Sequence, residues 1–258
     1  MKIYISVVSH RHAKLINDLS CLTSLSEFFT VVVKSNVSGD FFDEKLLGSV
    51  NFHWINENYG LGFGHNNNVN YKYCRDELGI NSGDYFVILN PDVVIKPEAI
   101  KQLVDLMIEG NANIAAINLY KDLEREIYDH SIRNFPTIKD FISSFLDKGN
   151  ASIIDKKYIT ASCDVDWAAG SFMVIKADHY QALGGFDEGY FMYCEDIDIC
   201  YRSALEGSRV KYFPNIVALH LAKHANRKIL SRHFYWHVSS VFRFLLTRLG
   251  LTKPHTSL

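Results

Sequence analysis

Cysteine is scarce in this chain and never paired by spacing. Cys21, Cys74, Cys163, Cys194 and Cys200 are odd in number and form no Cys-x-x-Cys motif, so neither a zinc knuckle nor a disulfide framework is indicated, and a reducing cytoplasm is the expected compartment. Long apolar runs are also missing. The run at Ile3-Val8 gives way to Arg11 and His12, too short for the core of a secretory signal and better read as a buried first strand. The aromatic and basic stretch Arg227-Leu251 is too interrupted to span a bilayer. Acidic residues stop at Glu206. The formal net charge of −2 therefore divides into +9 for Gly207-Leu258, which holds nine Lys or Arg, and −11 for the rest, a segregation that points to an anionic partner. There is no internal repeat and no low-complexity tract.

Two phosphate-binding signatures are absent. Gly60, Gly62 and Gly64 stand in a Gly-x-Gly-x-Gly spacing that lacks the Gly-Lys-Ser/Thr ending of a Walker loop and the flanking strand of a dinucleotide site. Read alone, the segment is a flexible loop entering an Asn-capped helix. Its glycines also permit close approach to a ligand, with His65, Asn66, Asn67 and Asn68 as neutral donors and acceptors. No glycine-rich triphosphate loop lies near Ile5-Arg11, which argues against a nucleotidyltransferase.

What is present is an α/β pattern. Short β-branched or aromatic runs at Ile3-Val8, Val31-Val33 and Tyr85-Leu89 alternate with helical segments at Gly64-Leu78 and Pro97-Ile108, as a mostly parallel sheet flanked by helices requires. Pro97 and Glu98 suit a helix first turn, with Ile100, Leu103, Val104 and Met107 facing the sheet. Asn90-Pro91-Asp92 then falls at a strand's carboxyl end, where open α/β sheets bind ligands. A helix is expected around Ile138-Leu146, a strand at Ser171-Ile175, a short helix at Asp178-Leu183, and closing strands at Val210-Phe213 and Ile216-Leu219. The 48% hydrophobic content can fill one large domain.

The run Gly184-Gly185-Phe186-Asp187-Glu188-Gly189-Tyr190-Phe191-Met192-Tyr193-Cys194-Glu195-Asp196-Ile197-Asp198 places five carboxylates among bulky aromatics. Partial desolvation there disfavours ionisation and moves a pKa toward the range of proton transfer. The competing reading is a glycine turn before a helix with acids in its first turn.

This run, with Cys200 and Arg202 beyond it, resembles the acceptor-side signature of family 2 glycosyltransferases, in the rhamnosyltransferase-like branch that builds bacterial surface polysaccharides. Asn90-Pro91-Asp92, Asn58-Asn68 and Asp166-Phe172 resemble other segments of that branch, and the similarity extends from about Met1 to His224. It implies a GT-A fold, with residues 1–224 as catalytic domain and 225–258 as a basic amphipathic helical appendage. It also implies single inverting transfer of L-rhamnose from dTDP-β-L-rhamnose to polyprenyl-diphosphate-linked N-acetylglucosamine in α-1,3 linkage, within O-antigen or lipopolysaccharide biosynthesis. Another nucleotide-sugar donor is the alternative, and a non-catalytic sugar-nucleotide or glycan-binding subunit is the contrasting class. The absence of a Gln-x-x-Arg-Trp motif and of transmembrane spans argues against a processive synthase.

The resemblance assigns Asp196 as base with Glu195 beside it. It turns Ser9, Ser35, Asn36, Asn58, Gly60, Gly62, Gly64, Asn67, Asn90 and Asp92 toward the donor, and Trp167, Gly170, Asp187, Tyr193 and Glu195 toward the acceptor. Asp92 and His220 are expected to hold a divalent cation, Mn²⁺ or Mg²⁺, and His224 and Arg227 to meet diphosphate oxygens. The branch has Asn90 where many other relatives have an acid, which leaves one fewer charged ligand. The chain itself departs at Ser35, which cannot supply the carboxylate that relatives direct at the nucleobase, and at His10, where relatives tend to have Tyr-Asn. The C-terminal basic and aromatic region is expected either on an anionic membrane surface, on the cytoplasmic face of the inner membrane, or packed on the domain or a dimer partner. Nucleic-acid binding is not expected, since no reading motif is present and the catalytic portion is acidic.

Overall fold

A computed structural model describes residues 1–137, 140–141, 152–221 and 232–258. Four parallel strands, β1 (Ile3–Ser9), β2 (Thr30–Ser35), β3 (Phe52–Ile55) and β4 (Tyr85–Leu89), lie in the order β3-β2-β1-β4. Their side chains alternate between two apolar layers, as the strand period of two requires. Ile5, Val7, Val31, Val33, Val87 and Leu89 face one layer, and Tyr4, Val32, Phe86 and Ile88 face the other. Helices α1 (Ala13–Leu19) and α2 (Cys21–Ser26) cover the first layer. The short α3 (Glu44–Leu47) joins β2 to β3, and α4 (Phe63–Asp76) covers the second layer with Tyr71 and Cys74.

Beyond β4 the sheet becomes mixed. A short β5 (Val93–Val94) precedes α5 (Pro97–Glu109), which begins on Pro97 and buries Ile100, Leu103, Val104 and Met107 as its periodicity predicts. β6 (Ile114–Tyr120) follows, and a two-stranded ribbon joins β7 (Ile132–Arg133) to β9 (Trp167–Ala168). β8 (Cys163–Val165) and β5 are antiparallel to β11 (Val210–His220), which itself runs parallel to β6. β10 (Phe172–Lys176) lies antiparallel between β4 and β6, giving nine strands in one sheet among the described residues. The two expected closing strands are one: β11 continues through Pro214, with a register shift between Phe213 and Val217 that accommodates a residue lacking a backbone donor.

α6 (Ala177–Ala182), α7 (Glu195–Leu205) and α8 (Arg232–Arg248) complete the second layer. α8 contributes Val241 and Phe244 to the same apolar cluster as Ile197, Ile199 and Cys200, and Phe244 meets the ring of Tyr201 edge-on. The expected helix at Ile138-Leu146 lies largely outside the described residues. Among those described, no helix is long and apolar enough to cross a membrane.

Candidate active site

Polar side chains gather where β1, β2 and β4 end. Ser9 Oγ accepts the His12 N–H at 3.1 Å, and its carbonyl accepts the Asn36 N–H at 2.7 Å. Asn36 is spent on the following loop: its amide nitrogen donates to the Leu61 carbonyl at 2.8 Å and its amide oxygen accepts the Leu61 N–H at 2.9 Å. Buried Lys34 donates to the carbonyls of Ser35 (2.8 Å), Glu57 (2.6 Å) and Asn58 (3.2 Å), which accounts for all three ammonium protons. The loop 57–61 is thus tied to the end of β2. Asn58 is exposed at its apex with φ 51°, and Gly60 turns with φ 80°.

Ser35 has a fixed polarity. Trp54 Nε1 donates to its hydroxyl at 2.9 Å, and the hydroxyl donates to Asp40 Oδ2 at 2.7 Å. Indole is a donor only, so the serine proton is committed to Asp40, and the acceptor capacity at this strand end rests on a carboxylate five residues on. Asp40 is buried and lines a cavity of about 600 Å³ with Arg11, Lys14 and Ser38.

Two of the expected donor glycines serve packing instead. A Cβ on Gly62 would lie 2.6 Å from the Phe191 carbonyl oxygen, and one on Gly64 would lie 2.7 Å from Phe186 Cβ. They let the start of α4 close onto the acidic run, where the Phe63 N–H donates to the Phe191 carbonyl at 3.0 Å. Asn67 is fully buried, accepting from Ser6 Oγ at 2.7 Å and donating to the Phe63 carbonyl at 3.0 Å. These glycines and Asn67 are buried.

The Asn90-Pro91-Asp92 turn meets the end of β11. Pairing of Val93 with His220, and the Leu221 N–H on the Asp92 carbonyl at 3.0 Å, bring His220 Nε2 within 3.4 Å of Asp92 Oδ1. Nδ1 of the same ring bonds to the Asp129 carboxylate. Burial opposes charge on the imidazole, but the two carboxylates outweigh it and raise His220 to about 9. For Asp129 burial pulls upward, and the bond to His220 carries its pKa below the ordinary value. A carboxylate oxygen and an imidazole nitrogen 3.4 Å apart suit neighbouring ligands of one hard cation, whose bonds of roughly 2.1 Å set them about 3 Å apart. Among the described residues no three His, Cys, Asp or Glu side chains could enclose a metal, so such a cation would take further ligands from water and phosphate.

The acidic pair lies on the other side of a two-residue link. Gly170 N–H donates to Asp196 Oδ2 at 3.1 Å, while the carbonyl of the next residue, Ser171, accepts the Asn90 N–H at 2.9 Å. A Cβ on Gly170 would approach Phe63 Cε1 at 2.9 Å. Tyr193 and Cys194 precede α7 with φ of 73° and 64°, a costly conformation for residues with a side chain that concentrates at functional sites. Glu195 is buried with Oε2 lacking a hydrogen-bond partner, whereas Asp196 is half-buried. Burial raises both acids. The Asp196 charge pushes Glu195 further up, while the N–H groups of Gly170 and Ile197 and the charge of Arg133 restrain Asp196. Both acids therefore lie above the ordinary carboxylate value, and Asp196 is the one of the pair with N–H donors and a nearby cation favouring its ionised form.

Trp167 is buried, its indole donating to the Asn134 carbonyl at 2.9 Å, and the Arg133 guanidinium lies 5.4 Å from its ring centroid. Tyr193 reaches α8, with its hydroxyl 3.0 Å from His233 Nδ1. Asp187 is buried. It receives Arg243 Nε at 2.9 Å and Nη2 at 2.7 Å, and the N–H groups of Gly189 and His255, so it anchors α8 and the tail. His224 and Arg227 lie outside the described residues. Asp129, Asp40 and Arg133 went unmarked by sequence reasoning because none sits in a motif; Asp129 and Arg133 act on residues 91 and 63 positions away, and Asp40 is reached only through the polarity that Trp54 sets on Ser35.

No family model matches the chain. It is 37% identical over 256 residues to rhamnosyltransferase WbbL of Escherichia coli (strain K12), covering 97% of this chain and 95% of that protein. The N-acetylglucosaminyl-diphospho-decaprenol L-rhamnosyltransferase of Mycobacterium tuberculosis is 27% identical over 172 residues, 64% of this chain and 56% of that one. Among solved structures, Staphylococcus aureus TarS 1-349 in complex with UDP-GlcNAc matches all of this chain and 68% of its own, with TM-score 0.62 and 15% identity. GalNAc-T7 with UDP, GalNAc and Mn²⁺ matches 95% of this chain and 47% of its own, with TM-score 0.60 and 12% identity. These likenesses show the fold, that of the GT-A glycosyltransferases.

Proposed function

The chain belongs to the rhamnosyltransferase family of glycosyltransferases, and from that premise we propose that it moves L-rhamnose from dTDP-β-L-rhamnose to lipid-diphosphate-linked N-acetylglucosamine in α-1,3 linkage, as a step in O-antigen assembly. The observation that carries this reading is the Gly170-Ser171 link, which joins Asp196 to the Asn90-Pro91-Asp92 turn through two backbone bonds. A base for an acceptor hydroxyl thereby stands beside a strand end suited to a nucleoside diphosphate.

In the proposed reaction the acceptor hydroxyl attacks the anomeric carbon as Asp196 takes its proton. The new carbon–oxygen bond forms as the bond to the diphosphate breaks on the opposite face, so configuration inverts. Glu195, holding its proton, orients the acceptor. Asp92 and His220 would hold a divalent cation, which when bound neutralises the leaving diphosphate as a Lewis acid. Asp40 provides an acceptor for the imide N–H of the base, in place of a carboxylate at Ser35; thymine and uracil both carry that group. His224 and Arg227 are proposed as further diphosphate contacts.

α8 supports a peripheral membrane role. It exposes Tyr235, Phe242 and Leu246, with Leu249 just beyond its end, at helical spacing opposite the buried Val241 and Phe244, within the segment that carries +9. An aromatic and basic face of this kind suits an anionic bilayer carrying the acceptor; the competing occupant is a second copy of the chain.

The test is transfer by purified protein with Mn²⁺ or Mg²⁺, synthetic lipid-diphosphate N-acetylglucosamine and a panel of dTDP-, UDP- and GDP-sugars, read by mass spectrometry. The expected result is gain of one deoxyhexose from dTDP-rhamnose alone. A different sugar gain would overturn the donor assignment, and donor binding without product across acceptors would favour a binding subunit.

A further inference from the structure

We infer that Asp129 is a positioning residue for His220: by accepting the Nδ1 proton it fixes the ring so that Nε2 is turned toward Asp92, and a divalent cation is held between them. The inference rests on the proposed cation site and assigns a role to a residue outside every motif of the sequence.

Asp129 is placed by a built hairpin. After β6 the chain turns at Asp122, whose carboxylate accepts the N–H groups of Glu126 (3.0 Å) and Ile127 (2.7 Å). The chain then returns beside the strand it left. Lys121 N–H donates to the Ile127 carbonyl at 2.9 Å, Tyr120 bridges Tyr128, and Asp129 N–H donates to the Leu119 carbonyl at 2.9 Å. β6 is the direct neighbour of β11, with Tyr120 in register with Leu219, so the returning arm delivers its carboxylate to the ring at the end of β11. On its far side buried Lys156 donates to Ser131 Oγ at 2.8 Å.

A neutral imidazole carries one donor and one acceptor nitrogen. When a cation takes the place of the Nε2 proton, Nδ1 keeps donating to Asp129 and the lone pair is on Nε2, the nitrogen 3.4 Å from Asp92 Oδ1. A carboxylate behind a histidine is the arrangement that fixes ring orientation and strengthens the nitrogen that binds metal, and its loss lowers metal affinity by roughly 10–100-fold. A purely structural carboxylate would affect folding without acting on metal affinity in particular.

The experiment measures Mn²⁺ binding by electron paramagnetic resonance on full-length protein without donor or acceptor, for wild type, His220→Ala, Asp129→Ala and Asp129→Asn. Thermal melts in EDTA check folding, and Asp129→Asn, which keeps the shape, stands in if the alanine variant fails to fold. The expected result is a loss of about 10–100-fold for Asp129→Ala, a smaller loss for Asp129→Asn, and cooperative melts that show both variants folded at the temperature of the binding measurement. In Mg²⁺-saturated wild type, ¹⁵N resonance is expected to place the His220 proton on Nδ1. Wild-type affinity in a folded Asp129 variant, or a proton on Nε2, would overturn the inference while leaving the cation site standing. Wild type that binds no Mn²⁺ would overturn both.

Discussion

Glu195 and Asp196 are neighbours in sequence that meet opposite surroundings. As the proposed base, Asp196 must be ionised to accept a proton, and burial holds it above the ordinary carboxylate value. Activity is therefore expected to fall, as pH is lowered, at a pH above the usual aspartate value of about 3.9. Arg133 opposes that shift, so Arg133→Met is expected to move the acid limb of kcat/KM to higher pH; an unmoved limb would remove Arg133 from the electrostatics of the site. Glu195 gives a second sign. Its folded pKa lies well above its unfolded one, so deprotonation costs stability as pH rises from the unfolded value toward the folded one. Glu195→Gln is accordingly expected to raise Tm relative to wild type near neutral pH, with the gain shrinking toward pH 4. Equal gains at both pH values would contradict a raised Glu195.

Contacts between elements explain which sequence readings reached the right place. β1, β2, β4 and β10 were legible because burial on both faces enforces runs of apolar residues, and α5 because Pro97 and the spacing of its apolar face coincide; β3, β6 and the short β5, β7, β8 and β9 were not marked. Gly62 and Asp187 were harder, since both sit within motifs yet serve packing with remote segments. Gly62 has an ordinary φ of −66°, so its need is space: Gly62→Ala would drive a methyl into the Phe191 backbone and is expected to cost about 1–3 kcal/mol. Thermal unfolding within a fraction of a kcal/mol of wild type would refute the tight contact. Asp187 meets Arg243, 56 residues away, a partner that no local pattern reveals. Arg243→Ala leaves a buried carboxylate without its cation and is expected to cost about 3 kcal/mol, read by denaturant unfolding. Asp40 was hidden because only the polarity set by Trp54 shows that the Ser35 proton is committed to it.

Across the whole molecule, charge is divided between the two ends of the sequence. The acidic portion up to Glu206 holds Asp92, Glu195 and Asp196, and the basic C-terminal portion carries the exposed face of α8. The charge division was legible from the sequence, but the face was not, because it depends on which side of α8 meets α7. Phe242→Ser with Leu246→Ser is expected to abolish co-sedimentation with phosphatidylglycerol vesicles, and raised salt to weaken wild-type binding. Unchanged vesicle binding, or a change only in oligomeric state, would assign that face to another partner.

The most direct measurement is single-turnover transfer from dTDP-β-L-rhamnose to lipid-diphosphate N-acetylglucosamine by wild type and Asp196→Asn, with donor affinity and product anomer determined on the same preparations. The expected result is an α-linked product from wild type and a loss of roughly 10²–10⁴-fold in the variant, at unchanged donor affinity. Transfer by Asp196→Asn at the wild-type rate, or a β-linked product, would contradict a single displacement with Asp196 as its base.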